Sequence, residues 1–210
     1  LMANCRNSLS FTVPGVQATD IMLEEQFSGR TFSSNSMTWA PTSDTASVLV
    51  YRETESGRNK VGERGFKITK PPLPTVGLRE AGDENFLRGG DQIDLTGNFE
   101  LVVKADENFM QEFPQDANYR IDGMKVEISR SGLVPIEEEF NRQQLEQMLD
   151  LSGQASGEFV YEFSMFDVTQ NPQGSGISIY IRDISRLNYN NQRVPIDLNN
   201  VPSQFTFKAE

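Results

Sequence analysis

The chain has 210 residues, 19 Lys and Arg against 30 Asp and Glu, a formal net charge of −11, one cysteine and no histidine. This argues against a nucleic-acid partner, which needs a basic stripe. It also excludes Ser-His-Asp and Cys-His catalysis, histidine-ligated zinc, and any intrachain disulfide or CxxC redox pair.

Mean hydropathy is −0.48, and no apolar run reaches the roughly 20 residues of a membrane-spanning helix. No signal peptide is visible, so any targeting segment or anchor is expected to lie upstream or to have been removed. Hydrophobic residues are 37 % of the chain, low for a globular protein, but they alternate rather than scatter.

Residues 8–13 open the pattern. Leu9, Phe11 and Val13 share one face and Ser8, Ser10 and Thr12 the other, which predicts a half-buried strand. Val13-Pro14-Gly15-Val16 then turns the chain. Short β-prone runs follow at 21–27, 31–39, 46–52 and 61–69, punctuated by Ser28-Gly29, Ala40-Pro41 and Ser56-Gly57. Strands at this spacing predict a small β-sandwich. Cys5 follows Leu1-Met2-Ala3-Asn4, a poor lipoprotein site because Asn4 is large where a small residue is expected, and reads as a plain thiol.

Lys70-Pro71-Pro72-Leu73-Pro74-Thr75 interrupts the strands. Three prolines in four residues remove backbone donors and fix φ, so neither a helix nor a central strand runs through. Pro71, Pro72 and Pro74 predict a polyproline II joint, a semi-rigid spacer between two units.

Beyond the joint, 77–97 is polar and glycine-rich and reads as an irregular loop. Phe99, Leu101 and Val103 define a strand face. Tyr119 and Ile121 define another, but the apolar phase then moves to Met124, Val126 and Ile128, and Asp122-Gly123 at the break predicts a β-bulge. One helix is expected over 141–151. Asn141 is its N-cap, Gln144 completes a capping box, Phe140 and Leu145 form the hydrophobic staple, and Gly153 lies in the C-cap region. Strands return with Phe159, Tyr161, Phe163 and Met165, with Ile177, Ile179 and Ile181 before a slip to Ile184, with Val194, Ile196 and Leu198, and with Phe205 and Phe207.

No nucleotide-binding or nucleophile-elbow signature is present. Carboxylate chemistry stays open, since a hydrolase needs only two acids in one cleft. Glu137-Glu138-Glu139 precedes the helix, where the dipole favours acids. Asp83, Glu84, Asp91 and Asp94 carry oxygen ligands but not EF-hand spacing. Trp39 and Tyr51 offer either a sugar platform or core packing. The polar stretch Asn188, Tyr189, Asn190, Asn191, Gln192 and Arg193 is either a long hairpin turn or a contact loop, and it supplies the candidate partner-binding residues.

Taken together, these motifs resemble the C-terminal periplasmic domains of the GldM/PorM family. Asn7-Ser8-Leu9-Ser10 followed by Val13-Pro14-Gly15-Val16 is similar to that family's opening strand and turn, with Ser8 where proline is usual. Phe66-Lys67-Ile68-Thr69-Lys70 leads into a similar proline-rich joint. Phe140-Asn141-Arg142-Gln143-Gln144-Leu145 looks like its helix opening, 119–129 and 177–186 like two of its strands, and 194–207 like its closing pair. The resemblance spans nearly the whole chain and rests on the order and spacing of motifs that are weak singly. Residues 188–193 replace the family's glycine-rich hairpin, and 158–168 looks like an insertion, so a divergent paralogue is an open reading.

The resemblance implies a non-catalytic segment of a periplasmic, homodimeric shaft in type IX secretion or gliding motility. Such a shaft is anchored in the inner membrane by a helix outside this chain and contacts ring proteins associated with the outer membrane. No cofactor or metal is expected. The expected fold is all-β: two tandem Ig-like β-sandwiches, 1–70 and 77–210, with a joint at 71–76 and one short helix in the second. The competing reading is a periplasmic or cell-surface module that binds glycan or protein.

Overall fold

In the computed structural model, which describes residues 1–26, 28–170 and 173–209 (of Ala155 the backbone alone), the first unit is built from six strands. They are β1 (Asn7–Ser10), β2 (Ile21–Glu25), β3 (Thr31–Phe32), β4 (Ser36–Trp39), β5 (Thr45–Thr54) and β6 (Gly57–Lys67). β1 pairs β4 in one sheet, and the other runs β3-β2-β5-β6. Leu23, Val48 and Val50 from the larger sheet meet Met37 and Trp39 from the smaller in one core, on which Leu9, Phe11 and Val13 pack as their alternation requires. Pro14 and Gly15 make the turn: Val16 N–H donates to Val13 O at 3.1 Å, and Gly15 takes φ +74°, which a side chain would resist.

Residues 31–39, expected as one strand, are two. Ser33, Ser34 and Asn35 bend the chain from one sheet to the other. Asn35 then holds Phe11 from both sides, its carbonyl accepting the Phe11 N–H and its Nδ2 donating to the Phe11 carbonyl. Phe27, expected to close the second strand, lies outside the described residues.

The chain divides between Pro71 and Pro72, and β7 (Thr75–Glu80) begins soon after. The second unit continues with β8 (Gln92–Ile93), β9 (Asn98–Lys104), α1 (Glu107–Glu112), β10 (Asn118–Ser129), β11 (Ile136–Asn141), α2 (Arg142–Met148), β12 (Leu149–Asp150), β13 (Glu158–Ser164), β14 (Gly176–Leu187), β15 (Arg193–Pro195) and β16 (Gln204–Ala209). One sheet is ordered β11-β10-β14-β16-β8 with β15 also on β14, and the other β12-β13-β9-β7. Leu101, Phe159, Met124, Val126, Ile179 and Phe207 are fully buried between them. Each unit is thus an Ig-like two-sheet sandwich, and the described chain is mainly β. In both, a short early segment pairs parallel with the closing one: Met2 with Thr69, and β8 with β16.

Several expectations need correction. The loop expected over 77–97 begins as β7. Val76 and Leu78 are buried, and Gly77 lets the Phe86 ring lie against the backbone where a Cβ would come within 2.5 Å. α1 adds a second short helix. Asp106 caps it, accepting from Phe109 N–H at 2.9 Å, but six residues are too few to show a period. α2 has the expected capping box, with Asn141 and Gln144 exchanging bonds at 3.2 and 2.9 Å, and Phe140 and Leu145 are buried. It ends at Met148 rather than 151, because Leu149 and Asp150 pair with Tyr161 and Val160. Gly153 therefore caps no α-helix. Glu137, Glu138 and Glu139 stand just before α2 as expected, but within β11, where Phe140 anchors the strand and Lys125 bonds Glu137 at 2.8 Å. The strand expected over 194–198 covers Arg193–Pro195, with one further bond beyond it, from Ile196 N–H to Ile184 O at 2.9 Å, before the chain leaves β14. The bulge is where the phase broke, with register shifts on both sides of Gly123.

Candidate functional site

The candidate contact loop closes the hairpin from β14 to β15. Asn188 is buried and organises it: its N–H donates to Gln192 O, its carbonyl accepts from Asn191 N–H, and its Oδ1 accepts the N–H groups of Asn190 and Gln192 at 3.0 and 2.9 Å. Asn191 takes φ +57°, a left-handed geometry asparagine tolerates. Tyr189 N–H donates to Asp116 Oδ1 at 3.0 Å. Asp116 is itself buried beside Arg186, whose Nη1 donates to the Asp116 carbonyl at 2.8 Å. Asn190, Asn191 and Gln192 form an exposed polar tip on this base.

Arg193 is not part of the tip. Its guanidinium bonds Asp122 Oδ1, Glu146 Oε1 at 2.7 Å and Ser185 Oγ at 3.2 Å. Arg142, from the first turn of α2, reaches the same Asp122 oxygen at 2.9 Å. The bulge explains why: it re-aims Asp122, which would otherwise follow the strand's alternation, toward α2 and β15. Asp122, Arg142, Asp183, Ser185 and Arg193 line an open cavity of about 320 Å³.

Two buried groups lie behind it. Arg120 stacks its guanidinium 4.6 Å over the Phe159 ring and donates to Tyr119 O at 2.7 Å; burial pushes its pKa down. Tyr161 accepts the Ile121 N–H at 2.7 Å, and burial pushes its phenol up to about 12. Neither is poised for acid–base work near neutral pH. Asp122 and Asp183 share the cavity, but Asp122 is taken up by two arginines. Together these bonds tie α2, β10 and β15 to one another.

The other candidates are placed as follows. Asp91 and Asp94 bind their own turns, Asp91 through Arg88 N–H and Asp94 through the Thr96 N–H and hydroxyl, which lower its pKa. Among the described residues no three His, Cys, Asp or Glu are grouped to hold a metal ion. Trp39 is in the first core, edge-to-face with Phe66, and Tyr51 is covered by Arg58 at 4.9 Å, so they form no exposed aromatic pair. Pro72 belongs to the second unit, its carbonyl accepting from Tyr119 Oη at 2.8 Å, and Pro74 is buried. Sequence reasoning missed Asp122, Asp116 and Arg186 as supports of the loop. A charged residue at the end of an otherwise isoleucine-rich strand, as Arg186 is, was the available signal.

No protein-family description and no curated protein matches the chain. Among solved structures it aligns with three N-terminal domains of the bacteriophage RB49 highly immunogenic outer capsid protein at 11 % identity and TM-score 0.29, covering 100 % of this chain and 66 % of that one. It also aligns with the C-terminal domain of the Streptococcus pyogenes antigen I/II-family protein AspA at 7 % identity and TM-score 0.31, covering 83 % and 58 %. A calcium-stabilised ice-binding adhesin of an Antarctic bacterium aligns at 14 % identity and TM-score 0.26, covering 97 % and 43 %. The chain thus spans less than two thirds of each of these structures. Similarity at this level assigns neither a family nor a function.

Proposed function

We propose that the chain is a non-catalytic scaffold segment of an envelope machine, of the periplasmic homodimeric kind that its sequence resembles in GldM/PorM proteins. One observation carries the reading: the connection between the units has almost no slack. Thr69 N–H donates to Leu1 O at 2.8 Å and is the last residue bonded into the first unit. Pro72 O, held by the buried Tyr119, is the first bonded into the second. Lys70 and Pro71 alone lie between, and Pro71 has a fixed φ. A force-transmitting element requires such a link, whereas an enzyme or a flexibly tethered binding module does not. The side chains bonded around Asp122 serve the same end by fastening helix to sheet, and the reading assigns partner contact to the exposed tip of 190–192.

Light scattering tests it. The scaffold reading expects a homodimer, twice the 23.6 kDa chain mass, that persists on dilution. A monomer at every concentration, together with capture of the chain on a glycan array, would replace it with the binding-module reading.

A further inference from the structure

The first sandwich is incomplete along one side. β6 pairs only with β5, and β1 only with β4, so among the described residues each presents a free edge. Between them lies an open apolar groove of about 450 Å³, walled by Leu9, Phe11 and Val13 on one side and by Val61, Arg64 and Phe66 on the other.

Register fixes which β6 side chains face it. Gly62, Arg64 and Phe66 pair with Val50, Val48 and Ala46, all buried, and directly paired residues share a sheet face. Arg64 is therefore a cation on the core-facing side of an edge strand, and it is exposed, with the groove between it and the segment from Leu9 to Val13 unfilled. It makes no ion pair among the described residues. The strand as a whole carries Arg58, Lys60, Arg64 and Lys67 against Glu63 alone, in a chain of net charge −11.

An inward-pointing charge on an edge strand repels indiscriminate apolar pairing. It leaves one class of strand that can fill the gap: one whose inward residues are apolar against Gly62 and Phe66 and acidic against Arg64. We propose that the groove between β1 and β6 binds an extended partner peptide by strand addition, selecting an apolar–acidic–apolar set at alternate positions through Arg64. This goes beyond the scaffold reading and does not depend on it.

The test uses the 210-residue chain and three fluorescein-labelled peptides whose alternate residues are valine–glutamate–valine, valine–lysine–valine or valine–valine–valine, separated and flanked by threonine. The glutamate peptide is expected to bind about tenfold more tightly than the other two, a typical charge-pair discrimination. Arg64→Glu should reverse the order of the glutamate and lysine peptides. Gly62→Tyr should block all binding without lowering the melting temperature, since a Cβ at Gly62 meets nothing within 4 Å. Absence of binding by all three at millimolar concentration, equal binding by all three, or full binding to a folded Gly62→Tyr protein would each overturn the proposal. So would self-association that Gly62→Tyr abolishes in a chain that ignores the peptides, because a second copy would then be the occupant.

Discussion

Replacing Tyr161 by phenylalanine should produce a stability difference that depends on pH in a specified direction. The hydroxyl is buried at the bulge and is the acceptor of the Ile121 N–H. Near neutral pH the variant leaves that donor unpaired, at a cost of about 1–3 kcal/mol. The phenol's pKa rises from 10.0 to about 12 on folding, chiefly by burial. Between those values the unfolded chain has lost its proton and the folded chain has kept it, so the wild-type protein loses stability as pH rises. The loss is on the order of 1 kcal/mol at pH 11 and approaches roughly 3 kcal/mol once the folded phenol titrates. Phenylalanine has no such term. Urea unfolding of both proteins by circular dichroism at pH 7, 9 and 11 should therefore show a gap that is constant up to pH 9 and about 1 kcal/mol smaller at pH 11. A gap unchanged at pH 11 would refute the argument that burial holds this phenol protonated.

Five further substitutions have outcomes set by the same structure. Asn141→Ala should destabilise the second unit by about 1 kcal/mol through loss of the capping box, and Phe140→Ala by about 3–5 kcal/mol because the ring is buried, both read from denaturant midpoints. Gly77→Val should cost about 1–3 kcal/mol by displacing the Phe86 ring, and Phe86→Ala in the same chain should recover much of that loss; additive effects would mean the contact is not the cause. Gly176→Ala should be costlier to relieve, since its Cβ would stand 2.7 Å from the Phe207 carbonyl, and no side-chain truncation should rescue it. Arg120→Met, a similar volume without charge, should change stability by less than about 1.5 kcal/mol, whereas a deficit of about 3 kcal/mol or more would show that the bond to the Tyr119 carbonyl and the stacking on Phe159 outweigh the cost of burying the guanidinium.

Periodicity made most of this fold legible. Strands with one buried face announced themselves, and so did the bulge, because a two-residue alternation cannot change phase without an extra residue; Asp122-Gly123 stood where Ile121 gave way to Met124. The cap of α2 was readable to the atom since it depends on residues three apart. What stayed hidden was set by distant partners. α2 stops at Met148 because Tyr161 recruits Leu149 into a sheet, which local propensity does not encode. β7 looked like loop because its glycine serves a ring nine residues on. The turn at 188–193 was found, but its division of labour was not. Asn188 is a buried organiser, Arg193 is a brace bound to Asp122 and Glu146, and only the tip between them is open. The groove beside β6 was invisible for a similar reason, since the face Arg64 occupies follows from a bulge at Val61 that shifts the register with β5.

The most direct measurement is small-angle scattering in line with light scattering on the wild-type chain and on a Pro71→Gly, Pro72→Gly variant. Both substitutions keep the Pro72 carbonyl that Tyr119 holds and leave the buried Pro74 in place. A scaffold segment joined by a short, stiff link should show a narrow distribution of interdomain distances that broadens in the glycine variant at unchanged mass. Equally broad distributions in both proteins would mean that the prolines transmit nothing, and the scaffold reading would fail.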